Sequence, residues 1–239
     1  MNAFQERLAA AAPAIGAVAR VPSPTLIEVY GDVGLDFVFL DYEHAGAPSP
    51  TDTARLENFV RAAELTGTEL LVRIPDAEPS LVREVLETGV RNVLIPRVET
   101  AAEARRAVAA ARFEYEGGPG DRGVGGTRAN RWGAEIDGYL AREDADTSVG
   151  VMLETRDAVE HADEILSVPE LGFAFVGHRD LTHALGHGEE IDHPAVAKAT
   201  GTLREACATH DVPVGRVASD VEDARAGAES GFAFFLAGY

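Results

Sequence analysis

Lysine and cysteine are nearly absent from this chain of 239 residues, and no apolar run is long enough to cross a bilayer. Lys198 is the only lysine. A Schiff-base enzyme needs a lysine amine held uncharged by its surroundings, and this one follows His193-Pro194 on a predicted helix, on the outside of an α/β fold. Cys207 is the only cysteine, so an internal disulfide and a cysteine-based zinc cage are excluded. Its helical window predicts a small buried thiol. No stretch reaches the roughly 18 apolar residues of a membrane span, and charges interrupt what would be a signal core near Met1–Ala9, so a cytoplasmic location is expected. Basic residues are also scarce. Lys plus Arg total 21 against 40 Asp plus Glu, a formal charge of −19. Such a surface repels nucleic-acid phosphates and anionic membranes, which removes both as partners. An acidic, lysine-poor surface points to a halophilic solvent, although high-GC codon usage also replaces Lys with Arg. It says nothing about substrate.

The remaining 46% of apolar residues supports a sizeable core. Asn2 to Ala12 reads as a short amphipathic helix. Buried-strand runs at Ala14–Arg20, Leu35–Asp41, Thr68–Ile74, Arg91–Pro96, Val149–Leu153, Phe173–Gly177, Val212–Val217 and Phe232–Ala237 alternate with helical spacing. Glu114 to Asp146, rich in Gly, Arg and Asp, reads as a long irregular insertion, the place where substrate specificity is expected. Eight such units in one domain over 1–239 predict a closed (β/α)8 TIM barrel, with an open doubly wound sheet as the alternative. Gly123-Val-Gly125-Gly126 lacks the strand–turn–helix context of a dinucleotide fingerprint.

Two strand ends organise the chemistry. Val149–Leu153 delivers Glu154, and Phe173–Gly177 delivers Asp180 after His178-Arg179. Two carboxylates on strands of one parallel sheet can converge on a divalent cation such as Mg²⁺ or Mn²⁺. Taken singly, each also reads as an ordinary helix-start acid. Two further strand ends supply Arg73 and the run Asp41-Tyr-Glu-His44. Four polar strand ends of complementary chemistry predict one site. His183 and His187 share i, i+4 spacing but lack the glutamate of a zinc-protease helix.

Several segments carry a resemblance: Gly34-Leu-Asp-Phe-Val-Phe-Leu-Asp41-Tyr-Glu-His44-Ala, Val72-Arg73-Ile-Pro, Val93-Leu-Ile-Pro-Arg-Val-Glu-Thr, Arg122-Gly-Val-Gly, Leu153-Glu154-Thr-Arg and Phe175-Val-Gly-His-Arg-Asp180-Leu-Thr. In this order the chain resembles the HpcH/HpaI family of metal-dependent pyruvate aldolases from about Ala14 onward. The resemblance implies that Glu154 and Asp180 hold the metal and that Arg73 binds a substrate carboxylate or enolate oxygen. It makes His44 the base, with Asp41 orienting it or holding a metal water, and pairs it with Glu87 from a neighbouring subunit of a homo-oligomer, a trimer or hexamer. The small-molecule partners are a 2-oxo acid and an aldehyde. The chain departs from the family at Met152, where Gln is usual, and at His178 and Arg179, where Gly-Pro precedes the metal aspartate. Arg179 is thereby a candidate for binding an anionic aldehyde. The family's terminal helix has no counterpart after strand eight, whose outer flank needs cover from a neighbour or from the Asn2–Ala12 helix. A CoA-thioester lyase of the malyl or citramalyl type and an inactive metal-binding paralogue stay open as alternatives.

Overall fold

The computed structural model describes residues 1–10, 12–44 and 52–238. Eight strands form its centre: β1 (Ala14–Val18), β2 (Phe37–Asp41), β3 (Glu69–Arg73), β4 (Asn92–Ile95), β5 (Ser148–Leu153), β6 (Phe173–Val176), β7 (Val214–Ala218) and β8 (Phe234–Ala237). Each pairs in parallel with the next, and β8 closes onto β1 through Ala14 and Phe234. This is the (β/α)8 barrel expected from the alternation. The two faces of β2 show how it is filled. Phe37 and Phe39 point into the barrel, whereas Val38 and Leu40 pack outward beneath the helices. Space inside is shared between large and absent side chains: a Cβ at Gly16, Gly150 or Gly215 would overlap the rings of Phe37, Phe173 or Phe234.

The helical layer comprises α2 (Pro24–Asp32), α3 (Thr53–Thr66), α4 (Pro79–Glu87), α5 (Ala101–Ala111), then α7 (Arg156–Glu160) with α8 (Ala162–Leu166), α9 (His178–Ala184), α10 (Pro194–Thr209) and α11 (Val221–Glu229). Ser23, Thr100 and Asp220 cap the starts of α2, α5 and α11 through their side-chain oxygens, satisfying N–H groups that have no intrahelical partner. The single helix expected over Asp157–Leu166 is interrupted at His161, which leaves helical geometry with ψ of 17°. Its ring is held by the Glu99 carbonyl at 3.0 Å.

The N-terminal helix α1 (Ala3–Ala9) begins on a reciprocal cap between Asn2 and Gln5. Phe4 is fully buried, edge-on to Phe37, Phe173 and Phe234 at 5.2, 5.5 and 5.3 Å between ring centres. The helix therefore plugs the end of the barrel where the strands begin. Of the two covers expected for the outer flank of β8, a neighbour or this helix, the helix is not one: Phe4 meets β8 from within the barrel at Phe234, and Phe235 on the outer face is buried against α11 at Gly227.

The insertion is also more ordered than its composition suggests. It contains a two-residue hairpin (Glu114–Tyr115 with Gly118–Pro119), a 3₁₀ segment at Arg128–Gly133 and the helix α6 (Tyr139–Asp146). Its order comes from buried polar side chains rather than apolar periodicity. Arg122 and Glu143, both buried, pair at 3.0 Å, and Arg91 joins Glu143 at 2.9 Å. Asn130, wholly buried, donates to the Gly125 carbonyl and accepts from the Thr127 and Gly133 amides. Since α5 ends and β5 begins at the strand-start end, the insertion lies there too, with Asp146 bonded to the N-terminal amine at 2.8 Å.

Candidate active site

The opposite end of the barrel, where the strands finish, gathers the predicted groups. Register between β2 and β3 sets Asp41 directly beside Arg73. Arg73 is 1% exposed and forks onto Asp41, Nε to Oδ1 at 2.9 Å and Nη2 to Oδ2 at 2.6 Å. Its Nη1 lies 3.1 Å from Glu43 Oε2 and donates to Met152 Sδ at 3.5 Å. The guanidinium carbon sits 5.7 Å from the Phe39 ring centre. Asp41 also accepts the amides of Glu43 and His44 at 3.0 and 3.3 Å. Burial alone would push its carboxyl up, but the Arg73 bonds and charge and the two amides outweigh it and hold the group below its usual range.

This geometry bears on one expectation, that Asp41 orients the His44 imidazole or holds a metal water. Asp41 fixes Arg73 and the backbone leading to His44 rather than the imidazole. The group beside the imidazole is Glu43, with His44 Nε2 at 3.4 Å from its Oε2. Glu43 thus links Arg73 and His44. It stands inside the Asp41–His44 motif, yet only the β2–β3 pairing reveals what it touches.

Glu154 follows β5 and is 2% exposed. Its Oε1 accepts the Arg97 amide at 2.9 Å. Arg97 adopts a left-handed φ of 52° to deliver that amide, a conformation costing about 1–3 kcal/mol outside glycine. Oε2 is buried and has no hydrogen-bond partner among the described residues. Burial, with the nearby charges of Asp180 and Glu43, raises the carboxyl to about 7 against the opposing Arg97 amide and Arg73. Gly177 stands over it: a Cβ there would overlap Oε2 and come within 2.8 Å of the Glu154 Cβ. Asp180 is exposed in the first turn of α9, which follows β6, the neighbour of β5. A buried, unpartnered carboxylate oxygen beside a second carboxylate is a hard-donor site suited to a divalent cation. No group of three or more His, Cys, Asp or Glu side chains converges among the described residues, so protein would supply few of the ligands.

The other candidates fall elsewhere. Glu87 ends α4 at the strand-start side and lies 4.0 Å from Arg83, apart from His44 within one chain. Arg179 is exposed on α9 beside Asp180. His183 and His187 do not share a helix, because α9 stops at Ala184; His187 instead stacks on His193 with ring centres 3.5 Å apart. Lys198 is exposed on α10. Arg97 and Gly177 were not singled out from sequence. A left-handed arginine and a glycine enclosing a carboxylate leave no composition signal.

A parallel barrel with two acidic side chains and a buried arginine at its strand ends has the layout of a barrel enzyme whose site gathers where the strands finish. Residues 19–239 match the family model described as HpcH/HpaI aldolase/citrate lyase, and the chain belongs to that family. It is 35% identical over 238 residues to a 5-keto-4-deoxy-D-glucarate aldolase of Shigella boydii, covering 99% of this chain and 90% of the relative. A crystal structure of an HpcH/HpaI aldolase/citrate lyase family protein from Burkholderia cenocepacia superposes with a TM-score of 0.91 at 31% identity, covering 99% of this chain and 92% of that one. An HpcH/HpaI aldolase from Desulfitobacterium hafniense shares the fold at a TM-score of 0.88 and 24% identity, covering 99% and 90%. The chain is accordingly an aldolase or lyase acting on carbon–carbon bonds.

Proposed function

We propose that the protein joins pyruvate to an aldehyde, and reverses that step, on hydroxylated 2-oxo acids of the kind named for its 5-keto-4-deoxy-D-glucarate relatives. The observation that carries this reading is the buried, unpartnered Glu154 Oε2 within reach of the Asp180 charge. Glu154 and Asp180 would hold Mg²⁺ or Mn²⁺, which supplies positive charge to a 2-oxo oxygen as a pyruvate enolate develops. Arg73 sets a fixed positive charge near the same oxygen or the carboxylate, and Asp41 and Phe39 keep the guanidinium in place. A permanently charged planar donor, fixed before the substrate arrives, needs no reorganisation as charge builds. His44 takes the proton from the C4 hydroxyl in cleavage and returns it in addition.

We also place the enzyme in the cytoplasm, and read its surface, with 40 Asp plus Glu against 21 Lys plus Arg, as suited to high salt. The same reading brings Glu87 to His44 from a neighbouring subunit of a trimer or hexamer; no helix among the described residues is long and apolar enough to cross a membrane. Purified protein with Mn²⁺ or Mg²⁺ and a panel of hydroxylated 2-oxo acids tests the activity through pyruvate release. No release from any of them, with metal bound, would overturn it.

A further inference from the structure

Arg97 has a backbone and a side chain with separate tasks. Its amide is committed to Glu154 Oε1 at 2.9 Å. Adding an N–Cα bond of about 1.5 Å puts the Cα within roughly 4.4 Å of that carboxylate oxygen. The side chain is exposed, and its guanidinium enters no hydrogen bond or ion pair among the described residues. Three other cations share that condition, Arg106, Lys198 and Arg225, and all three lie on outer helices, α5, α10 and α11. Arg97 instead follows β4, at the end of the barrel where Asp41, Arg73 and Glu154 stand. A residue whose backbone meets Glu154, and whose exposed cation is paired with none of the described residues, is available to a ligand.

The chemistry of such a ligand follows from what is already committed. Arg73 is buried and flanked by Asp41 and Glu43, so it serves the 2-oxo end. Arg97 stands one side-chain length from Glu154, toward solvent, where the aldehyde half of the substrate would extend. We propose that Arg97 is a specificity-determining residue that receives a carboxylate carried by the aldehyde. This inference rests on the aldolase reading above. In the addition direction, pyruvate loses a methyl proton, its C3 bonds to the aldehyde carbon, and the aldehyde oxygen takes up a proton to give a 4-hydroxy-2-oxo acid. The forked guanidinium matches the second carboxylate of that product with two parallel donors.

Glyoxylate and glycolaldehyde make a size-matched test, one anionic and one neutral. The Mn²⁺-loaded protein is assayed for aldol addition of pyruvate to each, and kcat/KM is expressed as the glyoxylate-to-glycolaldehyde ratio. Arg97→Asn removes the cation, and Asn tolerates left-handed backbone, so the amide to Glu154 is retained. The ratio is expected to fall about tenfold or more, the scale of a charged hydrogen bond, and Arg97→Glu is expected to lower it further. Arg225→Gln, on the outer ring, is the control and should leave the ratio as it is. Raising the ionic strength should lower the ratio in the parent protein but not in Arg97→Asn. A ratio unchanged within about twofold in both Arg97 variants would overturn the assignment. Exchange of pyruvate methyl protons with solvent in the parent protein separates this from the activity itself. Exchange with an unmoved ratio defeats only Arg97, whereas absence of both exchange and addition defeats the aldolase reading and this inference together.

Discussion

Arg73 and Glu154 solve opposite electrostatic problems within one barrel mouth. Arg73 is a buried cation held by two carboxylates, so its charge is neutralised and its geometry fixed. Lysine at this position keeps the charge and loses the fork. Arg73→Lys is expected to lower kcat/KM by about 10²-fold or more, by analogy with removal of one oxyanion donor. Near-parent kinetics would reduce Arg73 to a structural pair with Asp41. Glu154 is a buried anion without a full set of partners, and Gly177 is the residue that leaves it room. Gly177→Ala would push a methyl group against Glu154 and the Met152 methyl, 3.0 Å away. Overpacking of this kind costs about 1–3 kcal/mol. The variant should fold, with Mn²⁺ affinity at least about tenfold weaker by calorimetric titration; unchanged affinity would show that Glu154 Oε2 is not a ligand.

At the scale of elements, α1 is the segment whose role most exceeds its length. Seven helical residues place Phe4 among three other phenylalanine rings at the base of the barrel. Burying an aromatic ring there removes a cavity that the strand side chains leave open. Phe4→Ala is expected to destabilise the protein by about 3–5 kcal/mol in urea unfolding, and deletion of Met1–Ala12 should do at least as much harm. An unfolding midpoint unmoved by either change would show that α1 is only an appendage. The sequence made the barrel legible because each strand is a short apolar run between helix caps and turn residues. Edges moved where the chain leaves the sheet gradually, as at β7, which starts at Val214 rather than Val212. The insertion was legible only as composition. What orders it is the Arg122–Glu143 pair and the Asn130 hub, contacts between residues whose polarity otherwise reads as loop. The site divides the same way. Glu154, Asp180 and Arg73 were visible as polar residues ending apolar runs. Glu43 and Arg97 act through pairing register and backbone direction, and the linear sequence does not display either.

Across the whole molecule, the scarcity of lysine and the raised carboxyl of Glu154 converge on one test of how carbanion charge is stabilised. A Schiff-base route would need Lys198, which is exposed on α10 in the outer ring. The metal route uses Glu154 and Asp180, and it has a thermodynamic signature independent of turnover. In the metal-free protein burial raises Glu154 to about 7 from an ordinary 4.5, so the folded chain holds a proton that the unfolded chain has released between those values. The stability this contributes is complete below about 4.5 and is lost as pH rises through about 7. Each pH step of one between those values is worth roughly 1.4 kcal/mol, so the metal-free protein should lose a few kcal/mol across the window, and Glu154→Gln should flatten the loss. A cation offsets the same burden, so Mn²⁺ should raise Tm most at and above neutral pH, and much less in Glu154→Gln. Activity should vanish on exhaustive chelation and return with Mn²⁺ or Mg²⁺, and Lys198→Arg should retain it. Borohydride trapping of pyruvate on Lys198, together with activity that survives chelation, would overturn the metal assignment.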